Sequence, residues 1–303
     1  MPDTLGETLT EATARLSAAG VDAPRIVAQV LLAHVLGVPR ASVISTPPHQ
    51  PLQPHQVNSF RALVNRCVSG EPVAYVVGHT EFYGLDLLTD RRALIPRPET
   101  EHLVELALAR IQAMPTPTTL MQTAALRTPI VDVGTGTGCI VISLAVKLPH
   151  LRFIATDLSS DALALAHENA KRHSVHSRIQ FLRGDLLAPV PMRVDGVIAN
   201  LPYVTTGEWQ QLPRQIRDHE PRTALDGGAD GLDLIRRLLA QATQRVKPDG
   251  WLLFEIGATQ GQAVTALARQ VLPMAAINLH RDYAGLTRVV EIQLRSVPGV
   301  KLR

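Results

Sequence analysis
The run Pro129-Ile130-Val131-Asp132-Val133 passes directly into Gly134-Thr135-Gly136-Thr137-Gly138 and then into the apolar stretch Cys139 to Leu148. Few folds accommodate that succession. A short, almost unbroken apolar run reads as a strand buried on both faces, and the glycines after it turn the chain into a helix. Strand, glycine turn and helix open an α/β sheet unit that cradles a phosphate or a nucleoside. With G-x-G-x-G spacing, Cys139 stands where a dinucleotide fingerprint would run on toward its third glycine. Pyrophosphate therefore fits poorly, and a nucleoside cofactor without phosphates fits better.

Three further strands follow, each ending on a polar residue. Arg152 to Thr156 leads to Asp157, placed to accept both ribose hydroxyls. Ile179 to Leu182 leads to Gly184-Asp185-Leu186, where Asp185 would accept from an adenine amino group and Leu186 would lie against the ring. Gly196 to Ala199 delivers Asn200-Leu201-Pro202-Tyr203. In an open α/β sheet such ends line one crevice. Taken singly, Asp157 also reads as a cap for the helix near Ser159, and Asp185 as a turn acid.

The last motif combines a side-chain carbonyl, a backbone carbonyl followed by proline and a flat ring. Two acceptors can take both hydrogens of a planar –NH2 group and point its nitrogen at an electrophile. The catalytic candidates are accordingly Asn200, Leu201, Pro202 and Tyr203. The cofactor candidates are Gly134, Thr135, Gly136, Thr137, Gly138, Asp157, Asp185, Leu186 and Asn200.

Together these motifs resemble the S-adenosylmethionine-dependent methyltransferase fold, and Asn-X-Pro-Tyr is similar to its nitrogen-methylating members. Glu81-Phe82-Tyr83-Gly84, Leu94-Ile95-Pro96-Arg97-Pro98-Glu99-Thr100-Glu101, the run from Glu220-Pro221 through Ala224-Leu225-Asp226-Gly227-Gly228 to Gly231-Leu232-Asp233, and Glu255-Ile256-Gly257 resemble the HemK/PrmC family. The resemblance extends over nearly the whole chain. It implies transfer of a methyl group from S-adenosylmethionine to the glutamine amide nitrogen in the Gly-Gly-Gln motif of peptide chain release factors. One departure is Leu201, where the family usually has proline. Leucine presents the same backbone carbonyl but lacks proline's fixed φ, so a less preorganised loop is expected.

The expected architecture is a seven-stranded Rossmann-like methyltransferase domain over residues 99–303, preceded by a helical substrate-docking domain over 1–72 and a β-hairpin linker over 73–98. Helical periods support the first: Leu5, Leu9, Ala12 and Leu16, then Ile26, Val27, Val30, Leu31 and Val35, then Val57, Phe60, Leu63, Val64 and Cys67. Val73 to Ile95 reads as strand-like, with Gly78 and Gly84 as punctuation. Pro96 to Thr100 opens a helix, leaving two readings for Arg97 and Glu99: facing the active site, or flanking a helix start with Glu101. Residues 114–128, rich in Thr, Pro and Ala, read as a surface insertion. The polar segment Thr205 to Ala229 is long enough to wall a substrate pocket; Glu220 reads as a surface partner for Arg222 or Arg217, while the resemblance implies a structural or lid role for it. Helix Leu232 to Val246, strand Trp251 to Glu255, helix Gln260 to Leu272 and strands Ala276 to Leu279 and Val289 to Leu294 close the sheet, with Asp282, Gly285 and Arg288 in the last turn.

Composition sets the outer bounds. With 46% apolar and 19% charged residues, the 303-residue chain excludes wholesale disorder. A formal charge of +3 and only 4% aromatic residues, with no basic block, give no direct sequence-specific nucleic-acid partner. Cys67 and Cys139 are the only cysteines and the eleven histidines lie scattered, so no metal is expected and a reducing compartment is. Asp3, Glu7 and Glu11 argue against a targeting peptide, and Ile26 to Val38 is too short to span a bilayer, so a cytoplasmic location without membrane contact is expected. Rival readings are an amino methyltransferase of adenine in RNA or DNA, a cofactor-binding module without turnover and, more distantly, a nicotinamide dehydrogenase.

Overall fold
The computed structural model describes residues 3–114 and 129–295, so the expected insertion lies, Met114 apart, outside the described residues. Two compact units emerge. One takes in Met1–His79 together with Pro213–His219, the other Thr80–Leu212 together with Glu220–Arg303.

The first unit contains α1 (Leu5–Ala18), α2 (Pro24–Leu36), α3 (Arg40–Ser45), α4 (Pro54–Val68) and α5 (Val73–Val77). Thr4 and Glu7 close a capping box on α1, while Pro24 opens α2 and left-handed Gly37 ends it. Apolar side chains at helical spacing, among them Leu16, Leu31, Phe60 and Val64, share one core. Two helices were not expected. α3 is too short to display a period, and α5 corrects the strand-like reading that began at Val73. Its β-branched residues are overridden by Pro72 before the first turn and Gly78, at φ 82°, after it. The helical unit thus runs past the expected boundary at 72, and the hairpin is confined to β1 (His79–Phe82) and β2 (Leu85–Leu88).

In the second unit α6 (Glu99–Gln112) precedes β3 (Ile130–Val133), α7 (Cys139–Lys147), β4 (Phe153–Asp157), α8 (Ser160–Arg172), β5 (Ile179–Arg183) and β6 (Val194–Ala199). The long segment expected as loop is interrupted by short helices α9 (Thr206–Gln211) and α10 (Arg214–Arg217), the latter belonging to the first unit. Then come α11 (Asp233–Arg245), β7 (Val246–Glu255), α12 (Gly261–Val271), β8 (Ala276–Arg281) and β9 (Thr287–Gln293). Seven strands form one sheet in the order β5-β4-β3-β6-β7-β9-β8, parallel except for β9, which runs antiparallel to β7 and β8. Strand alternation sends Ile130, Phe153, Ile198 and Leu253 into one core and Val131, Ile154, Val197 and Leu252 into the other. Both faces are therefore covered, as a parallel sheet requires. Because the chain returns from β5 to β6 across β3, the carboxyl ends of β3, β4 and β6 open on a switch-point crevice. Among the described residues, no helix is long and apolar enough to cross a membrane.

Candidate active site
A cavity of about 490 Å³ occupies that crevice. Its wall takes in Gly134, Thr135, Gly136 and Thr137 from the glycine turn, and Asp157, Asp185, Leu186 and Asn200 from the next strand ends. Of the nine expected cofactor residues only Gly138 is absent from the wall. Its left-handed φ of 82° starts α7, and a Cβ there would come within 2.8 Å of Ile142 and 3.1 Å of Ala166, so it serves helix packing.

Four of the glycine turn's five backbone donors are spent internally. Gly134 and Thr135 both donate to the Thr156 carbonyl, at 2.8 and 3.0 Å, Gly138 donates to Thr135 O, and Gly136 donates to Asp157 Oδ2 at 3.0 Å. An anion cradle needs such amides free. Here a carboxylate occupies one of them, so the donor set rejects pyrophosphate and suits an uncharged nucleoside. Asp157 Oδ1 accepts from Ser159 N at 2.9 Å, and Ser159, not Asp157, caps α8. Each carboxylate oxygen is thereby aimed while keeping a lone pair for a hydroxyl. Beneath the turn, Asp132 is 1% exposed and accepts from Thr135 Oγ1 at 2.7 Å. Burial pushes its carboxyl up to about 7.

Asp185 is less free than expected. Arg237 pairs with its Oδ1, and Gln241 Nε2 donates to Oδ2 at 3.0 Å. The same Gln241 amide accepts from Leu187 N at 2.7 Å, which pins Leu186 in a left-handed conformation at φ 49°. Arg237 and Gln241 sit on α11, and no local pattern singled them out.

At the other end, Ala199 pairs with Phe254, so Asn200 and Glu255 emerge side by side from β6 and β7. Asn200 Nδ2 donates to Thr100 Oγ1 at 2.9 Å, Thr100 Oγ1 donates to Glu255 Oε2 at 2.7 Å, and Tyr203 Oη donates to Glu255 Oε1 at 3.1 Å. Thr100 and Glu255 are 1% and 2% exposed. Burial raises the Glu255 carboxyl above its ordinary range, and burial with the neighbouring Glu255 raises the Tyr203 phenol. Asn200, Leu201 and Pro202 line the cavity, whereas Tyr203 does not. Leu201 is 3% exposed within the core that includes Val131 and Ile154, so burial supplies an anchor where the family's proline would restrain the backbone by its ring.

The segment after the motif is stitched to it. Val204 N donates to Leu225 O, Gly227 N to Val204 O, and Gln260 Nε2 to Tyr203 O at 2.9 Å. Gly231, at φ 73°, approaches so closely that a Cβ would lie 2.2 Å from Tyr203 O. Glu220 pairs with neither Arg222 nor Arg217. Its side chain, 1% exposed, accepts from Arg97 Nη2 at 2.7 Å and from Ile95 N at 3.2 Å, while Arg222 pairs with Asp226. Arg97 therefore faces the cavity and exposed Glu99 does not line it. Cys139 also borders the cavity, but burial pushes its thiol up to about 12 and keeps it protonated. Among the described residues, no group of His, Cys, Asp and Glu could hold a metal ion.

Known proteins resemble this chain over nearly its whole length. Residues 7–78 match the family model of the PrmC N-terminal domain, and residues 117–216 that of the methyltransferase small domain. A release factor glutamine methyltransferase of Moorella thermoacetica is 41% identical over 286 residues, 94% of this chain and 96% of that protein. One of Nitratidesulfovibrio vulgaris is 38% identical over 290 residues, 95% of this chain and 94% of that protein. The solved hMettl16 catalytic domain in complex with MAT2A 3′UTR hairpin 6 is 16% identical with a TM-score of 0.56, covering 76% of this chain and 84% of that one, a likeness of fold alone.

Proposed function
The chain belongs to the family of release factor glutamine methyltransferases, and we propose that it transfers one methyl group from S-adenosylmethionine to the side-chain amide nitrogen of the glutamine in the release factors' Gly-Gly-Gln motif. The observation that carries this reading is the Asn200 amide at the cavity wall. Its –NH2 is committed to Thr100, and its Oδ1 has no hydrogen-bond partner among the described residues.

The residues present fit the methyl donor. Asp157 would receive the ribose hydroxyls, Leu186 and exposed Leu158 would flank the base, and Asp185 would meet its amino group with the lone pairs that Arg237 and Gln241 leave. Gly134 to Thr137 would border the remainder. When bound, S-adenosylmethionine supplies an electrophilic methyl carbon on a sulfonium.

A carboxamide nitrogen is a weak nucleophile because its lone pair is delocalised. Asn200 Oδ1 and the Leu201 carbonyl each accept one hydrogen of the glutamine –NH2, which fixes the amide and lowers its resonance. Pro202 holds the turn. Tyr203, tethered through its hydroxyl to Glu255, offers a flat surface outside the cofactor cavity against which the amide plane rests. Positioning of two reactants contributes on the order of 7–11 kcal/mol to such a step. Asn200 Oδ1 and the Leu201 carbonyl would hold the nitrogen's two hydrogens until methylation, after which one of them would pass to solvent as a proton. The helical unit is the docking surface for the protein substrate, and the reaction takes place in the cytoplasm, where translation ends.

The test is methyl transfer from labelled S-adenosylmethionine to a release factor, with the modified residue located by mass spectrometry. One methyl on the Gly-Gly-Gln glutamine is expected, and Asn200→Ala should reduce turnover by at least about a hundredfold with cofactor affinity changed only a few fold. No transfer to a folded release factor by enzyme that binds the cofactor would overturn the reading.

A further inference from the structure
Asn200 can grip an –NH2 group only if its oxygen, not its nitrogen, faces the substrate. The two ends of a carboxamide have the same shape, so the motif alone leaves a rotation of 180° undecided. The structure contains a chain of donors and acceptors that decides it.

Glu255 stands at the start of that chain. Burial works against the Glu255 charge, but the hydroxyl protons of Thr100 and Tyr203 and the nearby Arg288 cation work for it, and as a carboxylate it has acceptors only, its two oxygens taking those two protons. Thr100 has a single proton. Once that proton is given to Glu255 Oε2, Thr100 Oγ1 can only accept, and the sole Asn200 atom able to donate to it is Nδ2. The Asn200 oxygen is thereby turned away from Thr100. Both supporting side chains are buried, so water does not compete for these bonds.

We propose that Thr100 and Glu255 are positioning residues that fix the amide polarity of Asn200, and so the selection of a hydrogen-donating glutamine over a hydrogen-accepting glutamate. This inference rests on the reading of the substrate given above. Thr100, only 1% exposed at the cavity wall, and Glu255, outside that wall, act through Asn200. Loss of the Thr100 hydroxyl frees the carboxamide to turn, and a turned Asn200 offers N–H to a carboxylate.

Wild-type enzyme, T100V, T100S, E255Q and the T100V/E255Q double variant test it. Five quantities are measured: kcat and KM for release-factor methylation, cofactor affinity by calorimetry, inhibition by a release factor whose Gly-Gly-Gln glutamine is replaced by glutamate, and the Asn200 side-chain amide exchange rate by NMR. Expected for T100V are a kcat at least about thirtyfold lower, cofactor affinity within about threefold, and discrimination against the glutamate protein reduced about tenfold. T100S, which keeps the hydroxyl, stays within about threefold of wild type and keeps the Asn200 amide protected from exchange. E255Q falls between, and the double variant is no worse than T100V because both act through one chain.

A T100V enzyme with near-normal kcat overturns the proposal, as does a loss that T100S shares or a lower kcat with unchanged glutamine-to-glutamate discrimination. Additive effects in the double variant sink the chain from Glu255. Inactivity of the wild-type enzyme toward every release factor would instead remove the substrate reading, and Asn200 amide exchange would still report whether Thr100 holds the side chain.

Discussion
The two ends of the crevice are built by opposite means. At the glycine turn, structure is made locally: β3 ends, the turn bonds back to β4, and Asp157 closes it, all between residues 130 and 159. At Asn200, the motif owes its geometry to Thr100 on α6, Glu255 on β7 and the Gly227–Gly231 segment, which approach from both sides of the sequence. The contrast separates two kinds of requirement. On the proposed function, a cofactor common to many enzymes would be held by a self-contained turn, whereas the group that would meet one particular substrate is oriented by the rest of the domain.

The strongest way to break that contrast is at Asp157. If the turn is self-contained, Asp157→Ala removes the proposed ribose acceptor and the partner of Gly136 N together. Cofactor affinity should fall on the order of a hundredfold, about 3 kcal/mol, in calorimetry, with the Asn200 amide resonance unmoved. A shift of that resonance would join the two ends into one device.

Leu201→Ala probes the other side. It removes a buried side chain while leaving the backbone carbonyl in place, so stability should fall by about 2–4 kcal/mol in denaturant unfolding. Turnover per folded molecule should fall less than tenfold. An unchanged midpoint would mean that burial does not anchor the motif.

The smallest effect is expected at Asp132, through pH. Its folded pKa, about 7, lies above the ordinary value of 3.8. Between those values the folded state holds more protons than the unfolded one, so stability falls as pH rises through the window and levels off above it. Asp132→Asn removes that slope. Wild type should lose about 2 kcal/mol more than the variant between pH 5 and pH 8, as followed by thermal unfolding at each pH. Equal slopes would place the ionisation elsewhere.

Legibility in the sequence follows the same division. The strand, glycine turn and helix at 129–148, the acid at 157 and the antiparallel closing strands could be read because periodicity and turn residues are local signals. Val73–Val77 is helical although its side chains favour a strand, because its flanking Pro72 and Gly78 favour a helical turn. Thr100, Glu220 and Glu255 lie within motifs, yet Thr100 and Glu255 are 155 residues apart and Glu220 and Arg97 are 123 apart, and no spacing rule connects them. Asp132 did carry a signal that could have been used: an acid inside an otherwise apolar strand must either be paired or change its charge.

The spent amides of the glycine turn bear on life in a crowded cell. ATP and the nicotinamide dinucleotides also carry adenosine, so any pocket that recognises the nucleoside alone invites them. A turn with idle N–H groups would reward their phosphates and be occupied by molecules that carry no methyl group to give. In this chain those groups already face Thr156 O, Thr135 O and the Asp157 carboxylate, so an incoming phosphate meets acceptors and negative charge. On the proposed cofactor reading, the turn would act as a filter against the commonest adenosine compounds, with the same hydrogen bonds that hold its own shape.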